Sequence, residues 1–124
     1  MAGELILIVE DNEKNRKLAR DVLQAKGYQT LEAETGEEGV RLAKERRPAL
    51  VLMDIQLPGI DGIAALGQLR ADAATRAIPV IAVTASAMTQ DRQKIMAAGF
   101  DGYQSKPIRL KEFLAAVRAM LDRP

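Results

Sequence analysis

Five polar residues stand where this sequence turns from apolar to hydrophilic, and their types suit one another. Glu10 and Asp11 follow the apolar run Leu5-Ile6-Leu7-Ile8-Val9. Asp54 follows Leu50-Val51-Leu52-Met53, Thr84 follows Val80-Ile81-Ala82-Val83, and Lys106 stands in Ser105-Lys106-Pro107. Three carboxylates on one rim repel one another and rise in pKa unless cations offset them. Lys106 offers one positive charge, and a Mg²⁺ ion would bring two more, leaving the group near neutrality. Mg²⁺ takes hard oxygen ligands, a few carboxylates and phosphate, and keeps some water, which Glu10, Asp11 and Asp54 would satisfy. A carboxylate at the mouth of a buried strand, beside a metal, can act as a nucleophile toward a phosphoryl group, so Asp54 could form an acyl phosphate. Thr84 can donate its hydroxyl to a phosphoryl oxygen from a side chain with few rotamers. Its neighbours Ala85, Ser86 and Ala87 are small enough to leave room. Lys106 is a compact charge for phosphate, and the Lys106–Pro107 bond can be cis where the backbone turns tightly. Pro58-Gly59 would make the sharp turn that keeps the pocket open.

Each of these residues alone has a plainer reading. Glu10-Asp11 could cap the next helix, Asp54 could be a capping or loop aspartate, Thr84 a β-branched strand residue, and Lys106 a solvated lysine. The combination outweighs these readings, because four strand ends each presenting a suitable group is hard to obtain by chance.

The elements that must position them can be read from periodicity. The three apolar runs are continuous rather than alternating, as strands are when helices cover both faces of a parallel sheet. Weaker strand candidates lie at 28–33 and 102–104. Between them, Leu18, Ala19, Val22 and Leu23 form a helical stripe ending at Gly27. Thr35-Gly36-Glu37-Glu38 has the form of a capping box, opening a helix that must stop before Pro48. Ile63, Leu66 and Leu69 follow a predicted N-cap at Asp61. A fourth helix is expected over 89–98, closed by Gly99. Leu110, Phe113, Leu114, Val117, Met120 and Leu121 mark the last helix. Five strand–helix units in series predict an α/β fold with a parallel sheet and right-handed crossovers. In such sheets ligands sit beyond the carboxyl ends of the strands, where the five polar residues fall.

Composition narrows the chemistry further. The chain has 124 residues, the size of one domain. It has no Cys and no His, which excludes disulfides, Cys/His zinc sites, thiol catalysis and a Ser-His-Asp triad. The net charge of +1 and 3% aromatic content favour neither nucleic acid nor an anionic membrane. No stretch approaches the ~20 apolar residues of a membrane span, and Met1-Ala2-Gly3-Glu4 does not open a signal peptide. A cytoplasmic location is expected.

The sequence resembles the response-regulator receiver (CheY-like) family. The likeness rests on Glu10-Asp11, on Asp54 within Leu52-Met53-Asp54-Ile55-Gln56-Leu57-Pro58, on Thr84-Ala85 and on Lys106-Pro107. The spacings of 43, 30 and 22 residues separating Asp11, Asp54, Thr84 and Lys106 agree, and the resemblance covers essentially the whole chain. Within the family the chain is most similar to single-domain regulators of the DivK type, through Val9-Glu10-Asp11-Asn12-Glu13 and Ser105-Lys106-Pro107-Ile108. Receivers of hybrid kinases share some of these stretches. The resemblance implies a flavodoxin-like (βα)5 three-layer sandwich with strand order 2-1-3-4-5, an order the same family illustrates. It implies a receiver over 1–124 with no output domain, phosphorylated on Asp54 by a phosphohistidine of a sensor histidine kinase or histidine phosphotransfer protein. Mg²⁺ would be held by Asp11, Asp54, the backbone carbonyl of Gln56 and, through water, Glu10. Thr84 and Lys106 would bind the phosphoryl oxygens, and Tyr103 would be the aromatic whose rotamer follows Thr84.

Other classes fit less well. A phosphatase of the haloacid dehalogenase type needs a second Asp two residues after the nucleophile, where this chain has Gln56, which cannot transfer the proton. No phosphate-binding glycine motif follows any strand, and an inactive pseudo-receiver would not need all five polar residues. A receiver module of a hybrid kinase and a phosphate sink remain as alternatives. The chain is expected to be a switch and not a turnover enzyme, with a downstream protein as its reader and no nucleic acid. Asn15, Leu18 and Ile108 are the expected docking surface for the phosphoryl donor. The output surface is expected to run over 88–95, Tyr103 and the region of Ile108.

Overall fold

The computed structural model describes residues 3–85 and 89–123, without the side chains of Thr89 and Gln90. Ser86, Ala87 and Met88, named above for the room around Thr84 and for the output surface, lie outside the described residues. Five strands alternate with five helices: β1 (Leu5–Val9), α1 (Glu13–Ala25), β2 (Gln29–Ala33), α2 (Gly36–Arg46), β3 (Leu50–Asp54), α3 (Gly62–Ala71), β4 (Val80–Thr84), α4 (Thr89–Ala97), β5 (Gly102–Ser105) and α5 (Leu110–Leu121). All strand pairs are parallel and the order is β2-β1-β3-β4-β5, as the resemblance implied.

The apolar runs are continuous because each strand serves two cores. Leu7, Val9, Val51, Met53, Val80 and Ala82 join Val40, Ala43, Leu66, Leu69 and Ile95 of α2, α3 and α4. Ile6, Ile8, Leu50, Leu52, Ile81 and Val83 join Ala19, Leu23, Phe113 and Val117 of α1 and α5. Successive strand residues point to opposite faces, so alternate residues of each central strand pack under one helical layer and the residues between them under the other. The result is the three-layer sandwich.

Capping follows the sequence closely. Thr35 accepts a hydrogen bond from the Glu38 amide at 3.1 Å, and Asp61 accepts one from Ala64 at 2.8 Å. The Glu38 carboxylate reaches back one residue further than a simple capping box, to the amide of Glu34 at 2.9 Å. α2 ends at Arg46, two residues before Pro48. Two residues of the predicted stripes are not core: Leu18 is 46% exposed and Leu110 57%. Leu18 lies at the border of its stripe, and Leu110 is the first residue of α5, on the face of the buried Val117 but at the helix end.

Candidate functional site

Strand register brings the polar residues to one rim. Val9 lies beside Met53, Asp54 beside Val83, and Thr84 beside Ser105. Asp54 and Thr84 are therefore the last residues of their strands, not the first beyond them, because both still pair across the ladder. Glu10 continues from β1 with its amide bonded to the Ala33 carbonyl at 2.9 Å, and the Lys106 amide donates to the Thr84 carbonyl at 2.8 Å. The Lys106–Pro107 bond is cis, as expected. Gly59 takes a left-handed φ of 75°, which fits the turn proposed at Pro58-Gly59.

Glu10, Asp54 and Thr84 are buried, at 5%, 6% and 3% exposure, and Asp11 is exposed. Oxygens of Glu10, Asp11 and Asp54 lie within 4.8 Å of one another. The Lys106 ammonium bridges the two buried carboxylates, with 2.9 Å to Asp54 Oδ2 and an ion pair to Glu10 Oε1. Asp54 Oδ1 accepts from the Gln56 amide at 3.3 Å. Burial, then the hydrogen-bonded and charged neighbour Asp54, push the Glu10 carboxyl up to about 7 against the pull of Lys106. Burial works against the Lys106 charge, yet Glu10 and Asp54 together hold its pKa above the ordinary lysine value. One ammonium thus leaves the three carboxylates undercompensated. The donor set is all oxygen, which suits a hard divalent cation such as Mg²⁺.

The capping reading of Glu10-Asp11 fails on geometry. Asn12 is the N-cap of α1, accepting from the Asn15 amide at 3.0 Å, while Glu10 Oε2 turns back to accept from the Asn12 amide at 3.3 Å. Sequence reasoning missed Arg16, which donates to the Glu10 carbonyl at 3.0 Å. A signal existed, since a cation in the first turn of a helix runs against the macrodipole.

The remaining expected residues flank this rim. Asn15 and Ile108 line, with Glu10 and Asp54, a crevice of about 20 Å³ between α1 and α5. Leu18 stands one turn along α1 from Asn15, outside that crevice. Tyr103 is half-buried against the core under α2, α3 and α4, with the Arg92 guanidinium 5.2 Å from its ring centre. A cleft of about 200 Å³ opens beside Thr84, lined by Ile55, Gln56, Asp61, Asp91 and Lys94 among others.

A five-stranded sheet of this order with an acidic rim and a bridging lysine is the architecture of a receiver domain, and a family model described as the response regulator receiver domain matches residues 6–118. The chain belongs to the response regulator receiver family of two-component signalling. It is 47% identical over 116 residues, 94% of each chain, to the polar-differentiation response regulator DivK of Brucella anthropi, and 46% identical over the same span to that of Brucella ovis. Among solved structures, it superposes with a TM-score of 0.91 on the receiver domain of a sensor histidine kinase from Pseudomonas aeruginosa, at 34% identity, covering 98% of this chain and 100% of that one. That structure has a magnesium ion coordinated in its active-site cleft. A CheY-like receiver from Methanospirillum hungatei gives a TM-score of 0.88 at 27% identity, with 98% and 95% covered. No described helix is long and apolar enough to cross a membrane.

Proposed function

We propose that the chain is a stand-alone receiver, whose Asp54 takes a phosphoryl group from a phosphohistidine on a sensor kinase or phosphotransfer protein and whose altered surface is read by another protein. The observation that carries the reading is the convergence of Glu10, Asp11 and Asp54 on one small volume, with Lys106 bridging the two buried members. The stand-alone part is supported by relatives matched over 94% of their own length. On this reading the protein meets its donor in the cytoplasm.

A carboxylate oxygen of Asp54 attacks phosphorus, the bond from phosphorus to the donor imidazole breaks, and its electron pair leaves with the imidazole. Asp11, Asp54 and the Gln56 carbonyl would hold Mg²⁺, with Glu10 assisting through water, and the cation would supply charge neutralisation for the phosphoryl oxygens. Lys106 gives up an Asp54 oxygen and pairs with the incoming phosphoryl group. The Thr84 hydroxyl moves onto another phosphoryl oxygen, and Tyr103 follows it inward. The protein turns over only its own acyl phosphate.

The test is intact-mass spectrometry after incubation with acetyl phosphate. The mass of one phosphoryl group should appear with Mg²⁺ and not without it. Labelling independent of Mg²⁺ would remove the metal from the account. Substitution at Asn15 or Leu18 should slow transfer from a protein donor and leave acetyl phosphate labelling intact. Tyr103→Ala should accept phosphate but lose much of the difference in partner binding made by beryllofluoride.

A further inference from the structure

The loop that carries Glu10 and Asp11 is held from outside the acidic cluster by a guanidinium. Arg16 lies in the first turn of α1 with its side chain only 12% exposed. Its Nη1 donates to the Glu10 carbonyl at 3.0 Å, its Nε to Glu32 Oε1 at 3.2 Å, and its Nη2 pairs with Glu34 Oε1 at 3.4 Å. Glu32 is braced in turn by Arg20 at 3.5 Å. All three nitrogens are used, and the fork ties the peptide joining the two acids to the edge strand β2 and the residues after it. Only a planar, multidentate cation can make these contacts at once. We infer that Arg16 is a positioning residue for divalent-cation binding, fixing the Glu10–Asp11 peptide so that both acids face Asp54. The inference rests on the reading of Glu10, Asp11 and Asp54 as the cation site.

Charge and positioning make opposite demands here, which gives the inference a sign. A positive charge beside a cation site repels the cation. If Arg16 acted by charge alone, removing it would tighten Mg²⁺ binding. If it acts by holding the peptide, removing it loosens two ligands at once and weakens binding. Loss of an outer partner of a metal ligand costs roughly tenfold or more in affinity.

The chain has no Trp, so Mg²⁺ is titrated by amide chemical shifts of the unphosphorylated protein at fixed ionic strength. Arg16→Met should raise the dissociation constant roughly tenfold. Arg16→Lys keeps the charge and cannot span the three partners, so it should weaken binding severalfold, where a charge effect would leave it unchanged. Asp11→Ala is the control for the site itself. If Asp11→Ala loses affinity while Arg16→Met binds as tightly as the wild type or tighter, the inference fails and the site stands. If Asp11→Ala binds as the wild type does, the cation site is misplaced and the inference falls with it. Should Arg16→Met not fold, Arg16→Lys decides between the two accounts.

Discussion

The two ends of the sheet treat charge in opposite ways. At the amino end, Asp101 accepts from Arg70 at 2.7 Å and from the Val80 amide at 2.8 Å, with Arg123 at 3.4 Å. Arg70 also donates to the carbonyls of Arg76 and Ile78. There the turn before β4 is fastened by groups of opposite sign. At the carboxyl end, three carboxylates share one ammonium, and Glu10 carries the mismatch as a raised pKa. The amino end also holds the larger cavity, about 510 Å³ against about 200 Å³ beside Thr84. On the proposed function, size alone would choose the wrong end, because the mismatch of charge, not the depth of the hollow, is what a cation and a phosphoryl group would answer.

That contrast can be broken by substitution. Asp54→Asn should remove all labelling by acetyl phosphate and Mg²⁺, because an amide is no nucleophile toward phosphorus at neutral pH. Persistent incorporation at the wild-type level, read by intact mass, would move the acceptor elsewhere. Asp11→Ala should cost at least the roughly tenfold in Mg²⁺ affinity that loss of an outer partner costs, while leaving the melting temperature unchanged or higher, since one of three like charges is gone. At the other end the pattern should invert. Arg70→Ala should lower stability by about 1–2 kcal/mol, since the half-buried Ile78 carbonyl loses its donor and Asp101 loses its shortest ion pair, and should leave Mg²⁺ affinity untouched. A denaturant melt and a Mg²⁺ titration on both variants give the four cells of the comparison.

The smallest effect concerns pH. Glu10 sits at about 7 in the folded protein against 4.5 for the free side chain. The folded state therefore binds this proton more tightly than the unfolded state. Below pH 4.5 the group is neutral in both and contributes nothing. As pH rises toward 7 the folded protein loses stability. Glu10→Gln should flatten that slope, and excess Mg²⁺, which binds the ionised form, should flatten it in the wild type. An equally steep slope in Glu10→Gln would assign the proton to another group.

The strands, the caps at Thr35 and Asp61 and the five rim residues were legible because each depends on local pattern: apolar runs, an oxygen three residues before an amide, a polar residue ending a strand. The resemblance supplied the strand order. Arg16 was legible only as a cation set against the helix dipole, and its role was not, because its partners Glu32 and Glu34 lie sixteen and eighteen residues away and only the pairing of β1 with β2 brings them near. Periodicity places Leu18 and Leu110 in their stripes because it reports which residues share a helix face, but not where the covering sheet stops. Asn12 was overlooked as a cap because two acids immediately before it offered the same chemistry.

Gly62 opens α3, eight residues beyond Asp54, and its amide bonds the Ile55 carbonyl at 2.9 Å. A Cβ built there would lie 2.9 Å from Ile55 Cα, a contact with backbone that cannot yield. For anyone transplanting this site to another scaffold, the transferable part is therefore larger than its polar side chains. It includes a helix start pressed against the end of β3, and a recipient with any side chain at that point would push the aspartate off its rim before a ligand arrived.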